Sequence, residues 1–158
     1  MSNNHTYSSH IHWTGNRGDG TKTYRGYDRT WTVAVDGKPP IPCSNDPLLG
    51  GDPTLMNPED LLISSLSGCH MLWYLHLASE AGISVLSYED TPEAVGENQP
   101  SGAGRFLSAT LKPKITIAAG GDIARAQAIH EKIHAYCFIA RSVNFPVTYE
   151  AEITHAKT

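Results

Sequence analysis

The sequence has no basic run. Its 12 lysines and arginines are outnumbered by 16 aspartates and glutamates, and the two signs are mixed along the chain for a formal charge of -4. Such a chain offers little to a phosphate backbone, which argues against nucleic acid as a partner. Cysteine is scarce as well. Cys43, Cys69 and Cys137 are too few and too scattered for a disulfide framework or a zinc knuckle of the paired CxxC kind. The opening MSNNHTYSSH lacks a basic start followed by an apolar stretch, so no secretion leader is expected and a cytoplasmic location is, with thiols reduced at rest. No segment repeats, and none is of low complexity. What remains is 158 residues of which 40% are apolar, enough for one core and read as a single domain over residues 1–158.

Alternation of apolar and polar residues in YSSHIHWTG, residues 7–15, predicts a half-buried strand. NRGDG follows as a turn, and residues 21–35, rich in Thr, Tyr, Trp and Val, predict one or two further strands ending at DGKPP. Five of the ten prolines fall in residues 36–56, which read as an ordered loop. A helix is expected over residues 57–82, with Asn57 as N-cap, Pro58 at the first helical position, Glu59 and Asp60 next, and Gly82 as the stop. Beyond it the pattern predicts a strand at about residues 83–95, a turn in ENQPSGAG and a long strand at about 105–118. A helix at about 121–138 and a strand at about 143–155 complete the chain. The order βββ-α-ββ-α-β groups strands and helices, which favours an α+β fold with antiparallel sheets packed around long central helices.

Residues 61–79 contain no Asp, Glu, Lys or Arg. At helical rise these nineteen residues span roughly 28 Å, the thickness of a bilayer. Four serines and two histidines within the stretch, and the lack of basic flanks, favour a buried helix over a membrane span. Leu61, Leu62, Leu66, Met71, Leu72, Trp73, Leu75 and Leu77 point to every side, so the helix needs cover on every side. One small sheet and one short helix give too little, and a homodimer is expected.

Cys69 lies inside that run, and Cys137 closes the second helix in HEKIHAYCFIARSVNFPV. A buried cysteine is often only a small hydrophobe. Two thiols brought to one pocket can instead alternate between dithiol and disulfide. Other chemistries fit parts of the pattern. His130, His134 and Cys137 at i, i+4 and i+7 could hold a metal such as zinc. Cys69 with a distant histidine could serve acyl transfer or hydrolysis, and inert thiols would leave a non-catalytic ligand-binding dimer. His70 points about 100° away from Cys69 around the helix and reads as a hydrogen-bonded helix histidine. Cys43, in PPIPCSNDP, reads as a spectator.

WTGNRGDG, NPEDLLISSLSGCHML with cysteine ten residues after glutamate, and the later HAYCFIARS together resemble the osmotically inducible protein C and organic hydroperoxide resistance (OsmC/Ohr) superfamily of thiol peroxidases, over nearly the whole chain. The resemblance implies a cofactor-free antioxidant enzyme, an intertwined homodimer whose long helices are enclosed by sheet. It implies that Cys69 attacks a hydroperoxide and Cys137 resolves the product to a disulfide, which an external dithiol reduces. Glu59 and an arginine of the N-terminal hairpin are the implied supporting ion pair; Arg17 fits best, with Arg25 and Arg29 close by. CFIARS stands where the best-known members carry Cys-Pro-Val-Ser. Helix composition suggests an organic hydroperoxide pocket lined by Leu66, Met71, Trp73 and Phe138.

Lowering a thiol pKa from about 8.5 to about 6 raises its thiolate at pH 7 about thirtyfold from roughly 3%. It lowers intrinsic nucleophilicity about thirteenfold, a net gain near two. A guanidinium aimed at the departing oxygen does more, because it stabilises charge that appears only in the transition state. Glu59 and Cys69 are ten residues apart, hence ~15 Å along one straight helix. If both serve one site, a side chain reaches far, the arginine bridges them, or the glutamate comes from the partner helix packed antiparallel across a twofold axis.

Overall fold

The computed structural model describes residues 2–157. The chain groups into two compact units, residues 1–61 and 62–158. In the first, β1 (His10–Trp13), β2 (Trp31–Ala34) and β3 (Ile41–Cys43) form an antiparallel sheet in the order β1-β2-β3. Strand β3 comes from the proline-rich stretch that reads as a loop in the sequence. Residues 21–30, expected to be strand, contain none: 21–27 are turns and bends and 28–30 are irregular. The reason lies in their return path to the N-terminal turn. Thr14 N–H donates to the Thr30 carbonyl and Asp28 N–H to the Gly15 carbonyl, both at 2.9 Å. A Cβ on Gly15 would sit 1.8 Å from the Asp28 carbonyl oxygen, so only glycine permits this approach.

Helix α1 (Pro58–Glu80) begins and ends as its sequence signals predict. Asn57 Oδ1 accepts from Asp60 N–H at 2.8 Å, and the Asp60 carboxylate accepts from Asn57 N–H at 3.1 Å, a reciprocal cap. At the other end Gly82 takes φ of 72°. Ile83 N–H bonds the Ala78 carbonyl and Gly82 N–H the Ser79 carbonyl, the glycine-ended arrangement that closes the last carbonyls.

In the second unit every expected long strand is divided. β4 (Val85–Asp90) and β5 (Glu93–Asn98) replace one, β6 (Gly104–Leu111) and β7 (Pro113–Ile117) the next, and β8 (Val147–Tyr149) and β9 (Glu152–His155) the last. The halves sort into two sheets, β4-β7-β9 and β5-β6-β8. The β4/β7 and β5/β6 pairs are antiparallel, while β7/β9 and β6/β8 are parallel, so the sheets are mixed. Asp90 stands opposite Pro113, Glu93 opposite Thr110 and Leu111 opposite Tyr149, which puts the three breaks side by side. Pro92 and Pro113 have no N–H for a ladder there. Asp90 holds the crease by accepting from Lys112 N–H at 2.7 Å and the Ser67 hydroxyl at 2.5 Å. Counting each divided strand once recovers βββ-α-ββ-α-β, and the class is α+β.

Helix α2 (Ile123–Ile133) is capped by Asp122, whose carboxylate accepts from Arg125 N–H at 2.9 Å. It ends five residues before the expected boundary. Bonds of the i to i-3 type from Ala135 and Tyr136 tighten its last turn, and Cys137 follows beyond it with its N–H on the Ile133 carbonyl at 2.8 Å. Ala126, Ile129, His130, Ile133 and Cys137 all point into the core. On α1 the buried residues are Leu66, His70, Tyr74 and Ala78, a single line at four-residue spacing. Leu72 is 64% exposed. Among the described residues α1 is the one helix long and apolar enough to cross a membrane.

Candidate active site

Cys69 and Cys137 are both free thiols, and they meet. Cys69 lies in the middle of α1, one position before the buried line, and is partly buried. Cys137 is 1% exposed. Its pKa is pushed up to about 11, first by burial and then by the hydrogen bond with Cys69, the arrangement in which the Cys137 S–H donates to the neighbouring sulfur. The backbone N–H of Ala140 points at the Cys137 sulfur at 3.4 Å and acts in the opposite direction. The pair is unequal: Cys69 is only partly buried, whereas Cys137 is almost wholly buried and its thiol is held protonated. A cavity of about 70 Å³ adjoins Cys137. Leu66, Leu111 and Val147 form its apolar wall, and the exposed residues Glu131 and His134 also line it.

Sequence reasoning did not pair His70 with His130. His70 is hydrogen-bonded, as expected, and its partner comes from the other helix: His70 Nε2 lies 2.9 Å from His130 Nδ1. The Tyr74 hydroxyl also crosses, donating to the Ala126 carbonyl at 3.1 Å. The ring of His130 stacks on Tyr74 and on Tyr149, with centroids 4.5 and 5.0 Å apart. Burial pulls both imidazoles down to about 4; the Asp90 carboxylate opposes this at His70, and His70 adds to it at His130. The clue in the sequence is the spacing of His130, which falls on the apolar line of Ala126, Ile129 and Ile133.

That placement bears on the metal alternative. His130 is turned into the core against His70, whereas His134 is exposed. Among the described residues no group of three or more His, Cys, Asp or Glu side chains could hold a metal ion. The expected pocket lining is corrected too. Leu66 lines the cavity beside Cys137, but Met71 lines a separate one with Ser67 and Asp90. Trp73 stacks on Tyr136, and Phe138 is 63% exposed. Cys43 is wholly buried, with its S–H near the Ile41 carbonyl at 3.7 Å and its pKa raised by burial.

The candidate arginines and Glu59 belong to the first unit. Arg17 lies 3.6 Å from the Asp28 carboxylate and donates to the Arg25 carbonyl. Arg29 is the most firmly held of the three, with its guanidinium over the rings of Tyr24 and Tyr27 and bonds to both their carbonyls. Arg25 and Glu59 are exposed. Among the described residues the ion pairs do not include one between Glu59 and an arginine.

Among solved structures, an OsmC-like protein of unknown function from Vibrio cholerae is 25% identical; the match covers 96% of this chain and 100% of that one, with a TM-score of 0.84. An organic hydroperoxide resistance protein from Legionella pneumophila is 20% identical over 96% of this chain and 99% of that one, TM-score 0.65. Another from Elizabethkingia anophelis is 19% identical with the same coverage, TM-score 0.66. At these lower identities the likeness is one of fold. No curated protein matches the sequence. A family model described as OsmC-like protein matches residues 51–152, and it supports a redox role of the peroxidase kind at the level of the family. The match spans well over half of the chain, which therefore belongs to the OsmC-like family.

Proposed function

We propose that the protein is a cytoplasmic thiol peroxidase that reduces organic hydroperoxides, working as a homodimer with its two units acting as one domain. Cys69 thiolate attacks the outer oxygen of ROOH. A sulfur–oxygen bond forms, the peroxide bond breaks, and the departing alkoxide takes a proton to become the alcohol. Cys69 is then a sulfenic acid, oxidised by two electrons. Cys137 sulfur attacks it, the sulfur–oxygen bond breaks, and the hydroxide leaves as water once protonated. An external dithiol returns the disulfide to two thiols and is itself oxidised. Arg17 stabilises the departing oxygen, and Glu59 holds the guanidinium by a bidentate bond.

The observation that carries this reading is the contact between two free thiols of unequal exposure, with the proton held on the buried one. A peroxide needs access to the attacking sulfur, and the resolving sulfur needs only to reach its neighbour. The test is stopped-flow oxidation of wild type, Cys69→Ser and Cys137→Ser with hydrogen peroxide and tert-butyl hydroperoxide, followed by mass spectrometry. Cys69→Ser is expected to lose all peroxide consumption. Cys137→Ser should undergo one oxidation and then accumulate sulfenic or higher acids. Equal loss of the first oxidation in both variants would reject the assignment.

A further inference from the structure

Beside the two cysteines lies a polar contact that the peroxidase chemistry above does not use. His70 follows Cys69 on α1, and His130 stands seven residues before Cys137. Their facing nitrogens are 2.9 Å apart and the rings lie within 12° of parallel. One of the two nitrogens must carry the shared proton, and either tautomer leaves His130 Nε2 uncommitted. That atom is buried with no hydrogen-bond partner among the described residues. An unpaired buried nitrogen is destabilising, and two apolar side chains would fill the same space without that penalty. Close packing alone does not account for the pair.

Cys137 has a matching need. Its sulfur must shed a proton to attack the sulfenic acid, yet the groups that hold it are the backbone N–H groups of Ala140 and Ile139, both donors, and Cys69, none of which can take that proton. His130 and Cys137 both line the cavity of about 70 Å³, together with Thr148 and Tyr149. A space of that size between polar groups has room for water. Of the two residues, His70 keeps the greater contact with solvent, 7% against 2%.

We propose that His70 and His130 form a proton relay for Cys137, in which the thiol proton passes through cavity water to His130 Nε2 as His130 Nδ1 passes its own proton to His70 Nε2. His70 releases the proton on its other nitrogen to solvent, and the hydroxide leaving Cys69 takes one from solvent, so that one water forms and nothing else changes. Each ring gains a proton at one nitrogen as it loses one at the other. Neither becomes a cation, which suits rings that burial holds near 4. Reduction of the disulfide requires a proton at Cys137 again, and the same path run backwards supplies it and restores the tautomers. The inference rests on the peroxidase reading.

The experiment separates the two. Full-length wild type, His130→Phe, His70→Phe, the double variant and His130→Gln are mixed with one equivalent of tert-butyl hydroperoxide. Rapid quenching into a sulfenic-acid trap then measures Cys69 oxidation and disulfide closure as separate rates. Oxidation of Cys69 should stay within about twofold of wild type while closure slows about a hundredfold, the usual reach of a lost acid–base group. The double variant should close no more slowly than either single one, because the two rings act as a unit. His130→Gln can keep a hydrogen bond to His70 but cannot shuttle a proton, so it should be as slow as His130→Phe. For wild-type closure, rates across mixtures of light and heavy water should require more than one proton in flight. Closure at the wild-type rate in His130→Gln, or a one-proton dependence in wild type, overturns the relay and leaves the peroxidase reading standing. Failure of wild-type Cys69 to form sulfenic acid rejects both.

Discussion

Helix α1 carries its cysteine at mid-length on a side that the chain leaves partly open, whereas α2 carries its cysteine beyond its own last turn, inside the core. The difference suits the order of events in the proposed reaction. A thiol that meets a substrate from solution is usefully placed on a rigid helix with one open side. A thiol that waits for its neighbour is better kept buried and protonated, and burial does this for Cys137. α1 differs in a second respect. It buries one line of residues and leaves Leu72 to solvent, while the inward residues of α2 are covered by its own chain. The open side of α1 is where a second copy is expected to pack.

The sharpest break in this comparison would come from activity shared between copies. α1 holds both Glu59 and Cys69, ten residues apart and hence ~15 Å along the axis. If both serve one site, a partner's glutamate can reach a cysteine that its own chain's glutamate cannot. Cys69→Ser and Glu59→Ala should each be nearly inactive alone. Refolded together, they should regain up to about half of wild-type activity per heterodimer, since one site of two then has its full set of groups. Verified heterodimers with no recovery would place glutamate and cysteine within one chain, and α1 would then owe its open side to something other than catalysis.

A smaller but still large effect should follow acid, because the two helices meet through the histidine pair. An unfolded histidine has an ordinary pKa of 6.5, and both folded rings are held near 4. Between those values the unfolded chain binds protons that the folded one refuses. The stability linked to the neutral rings is therefore fully present above about pH 6.5 and is lost as pH falls toward 4. The groups acting on the pair are Asp90, whose carboxylate favours protonation of His70, and the uncharged Tyr74, Tyr149 and Cys137, with Glu131 and His134 at the cavity. Folded rings held near 4 against an unfolded 6.5 correspond to about 3 kcal/mol for each ring. Urea unfolding at pH 7, 5.5 and 4.5 should show the fall, and His130→Phe should flatten it by about half. An unchanged slope in that variant would mean that the acid sensitivity lies elsewhere.

Much of this arrangement is legible in the sequence, and the illegible parts share a cause. The bounds of α1 follow from local chemistry, Asn57 and Asp60 at one end and Gly82 at the other. Cys69 is marked by its place within the long apolar helix, and Cys137 by its place at the close of the second helical pattern, although the helix itself stops at Ile133. The division of three strands into six is not visible in any one strand, because each break is set by its neighbours: Asp90 reaches Lys112 across the sheet, and Pro113 stands opposite Asp90. Likewise His130 looks like a metal-ligand candidate when paired with His134 at i+4, and like a core residue when paired with Ile129 and Ile133. Only the packing of α2 against α1 decides between them. The return of residues 14–15 against residues 28–30 has the same character, a contact between distant segments that no local propensity encodes.

The smallest effects should lie at the helix ends, where both helices are closed by one residue each and the comparison can be made on equal terms. Asp122→Ala removes the carboxylate that accepts from Arg125 N–H and should cost about 1 kcal/mol. Gly82→Ala adds a methyl group that meets no atom within 4 Å, so its cost is confined to holding a φ of 72° with a side chain present, again about 1 kcal/mol. Equal costs in stability need not mean equal costs in function. Loosening the start of α2 moves the helix that leads to Cys137, whereas loosening the end of α1 lies eleven residues beyond Cys69. Disulfide closure should therefore be the more sensitive to Asp122→Ala and peroxide attack should be nearly unchanged in both. Closure slowed equally by Gly82→Ala would show that the thiol contact depends on the whole length of α1 and not on the local approach of the two helices.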